Sequence, residues 1–218
     1  MKSEKNNAFW PSYTDLMTSL FFIMLVLFVL VFTKQQKQIK DLERQLAIVN
    51  AVDENLRPLK SDSTLFRYEE EYKRFKLSFD VKFEVDKYNI NSGDLENYSA
   101  TVNNVDNAGI KLKSVIQSLK KSKDSDVKMK DVSYILVIAG YASKTGEEYH
   151  NYELSYRRAL GLRNYWRSKG IDFEAAEFNN LIDLQISGNG WGGLGRSTKD
   201  QDNQRFLIQI FPKIGDIK

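Results

Sequence analysis

Cysteine is absent from these 218 residues, and histidine occurs once, at His150. The first absence excludes disulfides and thiolate metal sites, although it leaves the compartment open. The second excludes multi-histidine metal centres, so no metal site is expected. Proline is scarce, at Pro11, Pro58 and Pro212. A long run of one charge sign is also missing. Basic and acidic residues, 32 and 29 of them, interleave to a net charge of +3. Without a basic block to track a phosphate backbone, nucleic acid is not an expected partner. No Ser-His-Asp set, carboxylate pair or metal constellation stands out, and His150 lies in a polar turn with no evident base partner. The chain is therefore not expected to be an enzyme or to hold a cofactor.

What the sequence does contain is one long apolar stretch. Leu16 to Phe32 reads LMTSLFFIMLVLFVLVF, uncharged, with only Thr18 and Ser19 polar. At about 1.5 Å per helical residue it covers roughly 26 Å, close to the hydrocarbon thickness of a bilayer. Trp10 and Tyr13 fall where an interfacial aromatic belt belongs. A cleaved signal peptide would need a small-x-small site after its apolar region, and Phe32-Thr33-Lys34-Gln35-Gln36 is a poor one. Lys2 and Lys5 precede the span and Lys34, Lys37 and Lys40 follow it, so the count of flanking charges does not orient it.

Beyond the span, apolar residues at Ile39, Leu42, Leu46, Val49 and Leu56 are spaced as a heptad seam of about three repeats ending before Pro58. This predicts a helical stalk that dimerises. The segment from Asn55 to Leu77 reads as a charged linker. Ser78 to Val85 (SFDVKFEV) alternates like a strand. A helix is predicted over 106–121, a strand over 134–139, and a helix over 151–169 with Leu154, Ala159, Leu162 and Trp166 inward and Gly170 at its end. Strands follow over 181–186 and 206–211, the last closed by Pro212. The expected organisation is a short N-terminus (1–9), a transmembrane helix (10–33), a coiled-coil stalk and linker (34–77) and an α+β domain (78–218). That domain has the order β-α-β-α-β-β, with helices on a mixed sheet.

Asp15 is the only acidic residue from Phe9 to Thr33. Two physical readings stand evenly. Ser12 and Asp15 fit a Ser-x-x-Asp capping box for a helix starting at Pro11-Ser12. Equally, an ionisable group at the membrane is a functional hypothesis by default. The segment FWPSYTDLMTSLFFIMLVLFVL resembles the transmembrane signature of MotB-type stator subunits, in which an aromatic and Tyr-x-Asp precede a Met-Thr-containing apolar helix. That resemblance implies that Asp15 carries a translocated ion, H+, and that a MotA/ZorA-like membrane ring, a pentamer, surrounds a dimer of this chain. It also implies a single-pass protein of the bacterial inner membrane, with a cytoplasmic N-terminus and a periplasmic C-terminal domain. Ser19-Leu20-Phe21-Phe22 stands where flagellar stators have Ala-Met-Met-Ala-Phe-Phe. The chain therefore looks closest to the ZorB subunits of Zorya antiphage defence systems, with flagellar MotB-type motility stators as the alternative. A passive wall tether without motor activity is the second alternative.

The C-terminal domain carries a second resemblance. Gly140-Tyr141-Ala142-Ser143, then Asn151, Leu154, Ser155, Arg158 and Ala159, are similar to the OmpA-like peptidoglycan-binding pattern Gly-His-Thr-Asp followed by Asn-x-x-Leu-Ser-x-x-Arg-Ala. Gly188-Asn189-Gly190 and the run Asp202 to Arg205 echo the closing part of that family. The resemblance implies peptidoglycan binding through Asn151, Leu154, Ser155, Arg158, Tyr141, Ser143 and Arg205, with the Arg158 fork on a carboxylate. The family's aspartate, which holds the ligand's ammonium, falls at Ser143 here, and Asp200 or Asp202 are candidate substitutes. Trp191, between glycines, reads as a loop residue that stacks on a sugar or caps the core.

Overall fold

A computed structural model describes the chain over residues 9–130 and 132–214. Helix α1 runs Phe9–Lys60 without interruption. It is long and apolar enough to cross a membrane. Its large apolar side chains from Leu16 to Phe32 are all exposed on the single chain. Its hydroxyls are satisfied within the helix: Thr18 Oγ1 donates to Thr14 O at 2.7 Å and Ser19 Oγ to Leu16 O at 2.9 Å. Neither hydroxyl is therefore left without an acceptor. Residues 1–8 and the side chains of Trp10 and Ser12 lie outside the described residues.

The chain forms two compact units that divide inside α1, between Ala47 and Ile48. The second unit is a mixed five-stranded sheet with helices. Strands β1 (Phe66–Glu69) and β2 (Arg74–Leu77) form an antiparallel hairpin. Helix α2 (Tyr98–Ser125), strand β3 (Val132–Gly140), helix α3 (Glu148–Ser168), strand β4 (Ile182–Gly188) and strand β5 (Phe206–Ile214) follow. The order across the sheet is β1-β2-β5-β3-β4. Only β3 and β4 are parallel, with Leu136 opposite Leu184; β5 runs antiparallel to both β2 and β3.

Along β3, Val132, Tyr134, Leu136 and Ile138 are buried while Ser133, Ile135 and Val137 are only partly so. The first set joins Leu112, Ile116 and Leu119 of α2 and Leu162 and Trp166 of α3 in one core, as strand alternation and helical period require. Trp166 Nε1 donates to Val105 O at 2.8 Å, which locks α3 to α2. This close approach is why position 109 is glycine: a Cβ there would stand 2.5 Å from Trp166 Nε1. Gly170 ends α3 as expected, with φ +76. Ile171 N donates to Trp166 O and Gly170 N to Arg167 O, a Schellman closure.

Four expectations change. The stalk helix passes through Pro58 to Lys60. The expected linker contains the β1–β2 hairpin, so the sheet begins at Phe66. The alternating segment 78–85 forms no strand and makes one bridge, Phe83 to Leu95. Finally, β5 continues past Pro212, which pairs with Tyr134. Pro212 lies beyond the residues of β5 paired with β2, where a missing N–H costs no ladder bond on that side.

Candidate functional site

Asn151, Leu154 and Arg158 follow one another on α3 at three- and four-residue spacing, so they share a stripe. That stripe lines a cleft of about 710 Å³, closed by the irregular segment 80–86, the loop after β3 and the loop before β5. Arg158 is 5% exposed. Its Nε donates to Lys87 O at 3.1 Å and its guanidinium lies 4.6 Å from the Phe83 ring centroid. Among the described residues nothing accepts from its two terminal nitrogens. Burial lowers its pKa to about 10, against the opposing pull of Asp86, so it remains a cation at neutral pH.

The turn that offers Lys87 O is itself pinned. Asp94 accepts from Asn89 N at 2.8 Å, Asn89 Nδ2 at 3.0 Å and Tyr88 N at 3.4 Å. Burial alone would raise the Asp94 carboxyl, but these bonds hold it below the usual carboxylate range.

The matched residues divide by role. Asn151 Nδ2 donates to Thr145 O at 2.8 Å and Glu147 O at 3.0 Å, bracing the loop after β3 at the cleft wall. Leu154 and Ser143 line the cleft. Ser155 does not reach it. This residue is fully buried, donates to Tyr152 O and accepts from Gly190 N at 2.9 Å, fastening the loop after β4. Tyr141 and Arg205 also lie outside the main cleft. Together with Arg158 they border a void of about 10 Å³, room for about one water. Arg205 stacks on Tyr141 at 5.5 Å and donates to Gly195 O, while its Nε is buried without a partner. Burial, with a further push from Arg74, lowers its pKa despite Glu69.

Asp200 and Asp202 both line the cleft. Asp200 accepts from Lys144 N at 2.9 and 2.7 Å and from Arg196 Nη2 at 3.4 Å, so its charge already holds a loop. Trp191 is partly exposed, its indole Nε1 enclosed without a partner.

Sequence reading missed one pair. His150 is in the first turn of α3 rather than in a polar turn, and its Nε2 lies 2.7 Å from Asp86 Oδ1. The two are 64 residues apart in sequence, and no local pattern joins them. Among the described residues no group suited to a metal appears.

On α1, the Asp15 side chain has no hydrogen-bond or ion-pair partner among the described residues. Ile39, Leu42, Leu46 and Val49 are exposed. Leu56 parts from them: it is buried with Ile48, Val52 and Leu59 in the core of the second unit, so it is not a seam residue.

Comparison with known families finds that the OmpA family matches residues 98–206. No curated protein matches. Among solved structures, the chain is similar to a putative MotB-like protein from Desulfovibrio vulgaris (13% identity, 78% of this chain and 96% of that one, TM-score 0.43). It is also similar to the OmpA-like domain of FopA1 from Francisella tularensis (20%, 68% and 79%, TM-score 0.37). The periplasmic domain of Helicobacter pylori MotB is a third (14%, 68% and 89%, TM-score 0.37).

Proposed function

This chain belongs to the OmpA family, and from that premise we propose that it is the wall-anchored, stator-like subunit of an inner-membrane, proton-driven motor. The C-terminal domain binds peptidoglycan in the periplasm, with Arg158 on a ligand carboxylate. Asp15 carries the ion across the span, inside a MotA/ZorA-like ring that encloses a dimer of this chain. The motor serves antiphage defence, as the ZorB-like span implies.

One observation carries the reading. A single chain holds, in an apolar helix, a carboxylate without a partner among the described residues and, in its folded domain, a buried arginine opening onto a cleft. The position of Asp15 favours transport over capping. Helix α1 is already formed at Phe9 and has no acidic residue in its first turn, so Asp15 lies deeper than a cap, whose influence fades within that turn.

The test is Asp15→Asn, which keeps volume and hydrogen bonding but cannot gain and lose a proton. The variant is expected to insert, assemble and co-purify with its ring normally, yet to lose all gradient-driven function in a phage-protection assay. Wild-type activity in Asp15→Asn would leave the passive tether as the function. Rescue of swimming instead of phage protection by the wild-type chain would assign it to motility.

A further inference from the structure

The outer face of the sheet carries a cluster of cations that the cleft does not use. Phe66, Phe75 and Leu77 of the β1–β2 hairpin join the core beneath the helices, so strand alternation puts Arg67, Arg74 and Lys76 on the other face. Arg67 and Lys76 stand directly opposite each other in the register, with Cβ atoms about 4.5–5.5 Å apart. Like charges so placed destabilise a hairpin. Lys76 is the partner of Leu207 in β5. Arg205, two residues before Leu207, lies on the same face, where its guanidinium covers the Tyr141 ring at 5.5 Å.

Acidic neighbours do not offset this charge. Glu69 accepts from Arg74 Nε at 2.6 Å, and Arg74 Nη2 donates to Leu194 O at 2.9 Å, so that pair is committed to the fold. Arg67 is exposed and Lys76 half-buried, and neither has a hydrogen-bond or ion-pair partner among the described residues. Burial, with a push from Arg205, lowers the Lys76 pKa against the pull of Glu69 and Asp80. A half-buried, unpaired ammonium among guanidiniums costs stability, and an anion on that face would offset the cost. Arg205 connects the cluster to the cleft. With Arg158 it borders the small void behind the cleft, and its Nε is buried without a partner.

We infer that Arg67, Lys76 and Arg205 form a second anion-binding surface, on the sheet face turned away from α2 and α3, and that it takes a carboxylate of the wall polymer next to the one held by Arg158. This rests on the wall-binding reading and adds a second contact to it. Two features favour a wall carboxylate as the occupant. The cluster continues from the cleft through Arg205, so one polymer can reach both. The wall also repeats its carboxylates, and a repeated ligand gains more from two linked contacts than from either alone. Arg67 and Lys76 act as surface charges rather than as a closed pocket, so their contribution is modest and screened by salt.

The experiment measures binding of the whole chain in detergent to two probes: purified sacculi, and the monomeric disaccharide-peptide released from them by lytic digestion. The polymer can span the cleft and the outer face, whereas the monomer fills the cleft alone. Arg67→Gln combined with Lys76→Gln is expected to bind sacculi roughly fivefold more weakly at low salt, the scale of two exposed ion pairs, and to match wild type at high salt. Its affinity for the monomer is expected to be unchanged. Its thermal midpoint is expected to be no lower than that of wild type, because a like-charge pair has been relieved. Unchanged sacculus binding overturns the inference and leaves the cluster to an anionic lipid or an acidic protein. An equal loss on the monomer also overturns it, since the charges then act on the cleft itself, and so does a deficit that survives high salt. Wild type that binds neither probe removes the wall-binding reading itself.

Discussion

Arg158 is buried at the wall of the cleft, held by the Phe83 ring and Lys87 O. Such a site makes sense if its fork is completed by a ligand. Arg158→Ala should weaken sacculus binding by roughly ten- to a hundredfold, the range expected for a bidentate charge-assisted contact. Arg158→Lys, which keeps the charge and loses the fork, should fall between. Unchanged binding by a folded Arg158→Ala protein would place the wall site elsewhere. Arg158 was legible from the run Asn151 to Ala159. The role of Ser155 was not, because a linear motif does not say which way each member faces. One residue past Leu154 on a helix is a rotation of about 100°. That rotation takes Ser155 away from the cleft to the buried amide of Gly190. Asp86 was invisible for another reason: its partner comes from across the fold.

At the scale of elements, the sequence signal was strongest where period and punctuation agree. The buried stripe of α3 and its glycine stop are an example. No neighbour lies within 4 Å of a Cβ built at Gly170, so its only burden would be the positive φ. Gly170→Ala should therefore cost about 1 kcal/mol, the penalty for an L-residue in the left-handed region. Gly109→Ala, where a Cβ would collide with the Trp166 indole, should cost more. Thermal unfolding of the two variants checks the ranking, and equal stability of Gly170→Ala with wild type would remove the Schellman argument. The signal failed where alternation reported burial without pairing. Val81 and Phe83 are buried while Val85 is 85% exposed, so the two-residue period of SFDVKFEV is real over its first part. Yet β2 already pairs with β5 on that side of the sheet, and the segment folds over the core as irregular chain. The β1–β2 hairpin escaped notice because Phe66–Glu69 and Arg74–Leu77 are four residues each and rich in charge.

For the whole molecule, the question is how one helix could serve both the proposed dimer and the domain. Helix α1 carries two apolar stripes. Ile48, Val52, Leu56 and Leu59 are buried in the domain core, while Ile39, Leu42, Leu46 and Val49 remain exposed. Ile48 and Val49 are neighbours, so the two side chains point about 100° apart around the helix. The next positions of the exposed stripe are Asp53, a charge, and Leu56, already enclosed. A dimer seam on α1 therefore ends at Val49 and spans about two heptads rather than three, too short to hold two helices together unaided. If two copies pair as proposed, the apolar span must share the task. Because the chain has no cysteine, a single introduced thiol reports on this directly. Leu42→Cys and Leu46→Cys should cross-link in membranes, the outward Glu43→Cys should do so poorly, and Leu56→Cys should not cross-link while the domain is folded. Ile39→Asp combined with Leu46→Asp should abolish the cross-link at Leu42→Cys if the stalk holds the pair, and only reduce it if the span contributes, which is the outcome the short seam requires. Efficient cross-linking at Glu43→Cys with none at Leu46→Cys would rule out this seam and place the contact between two copies on another face of α1.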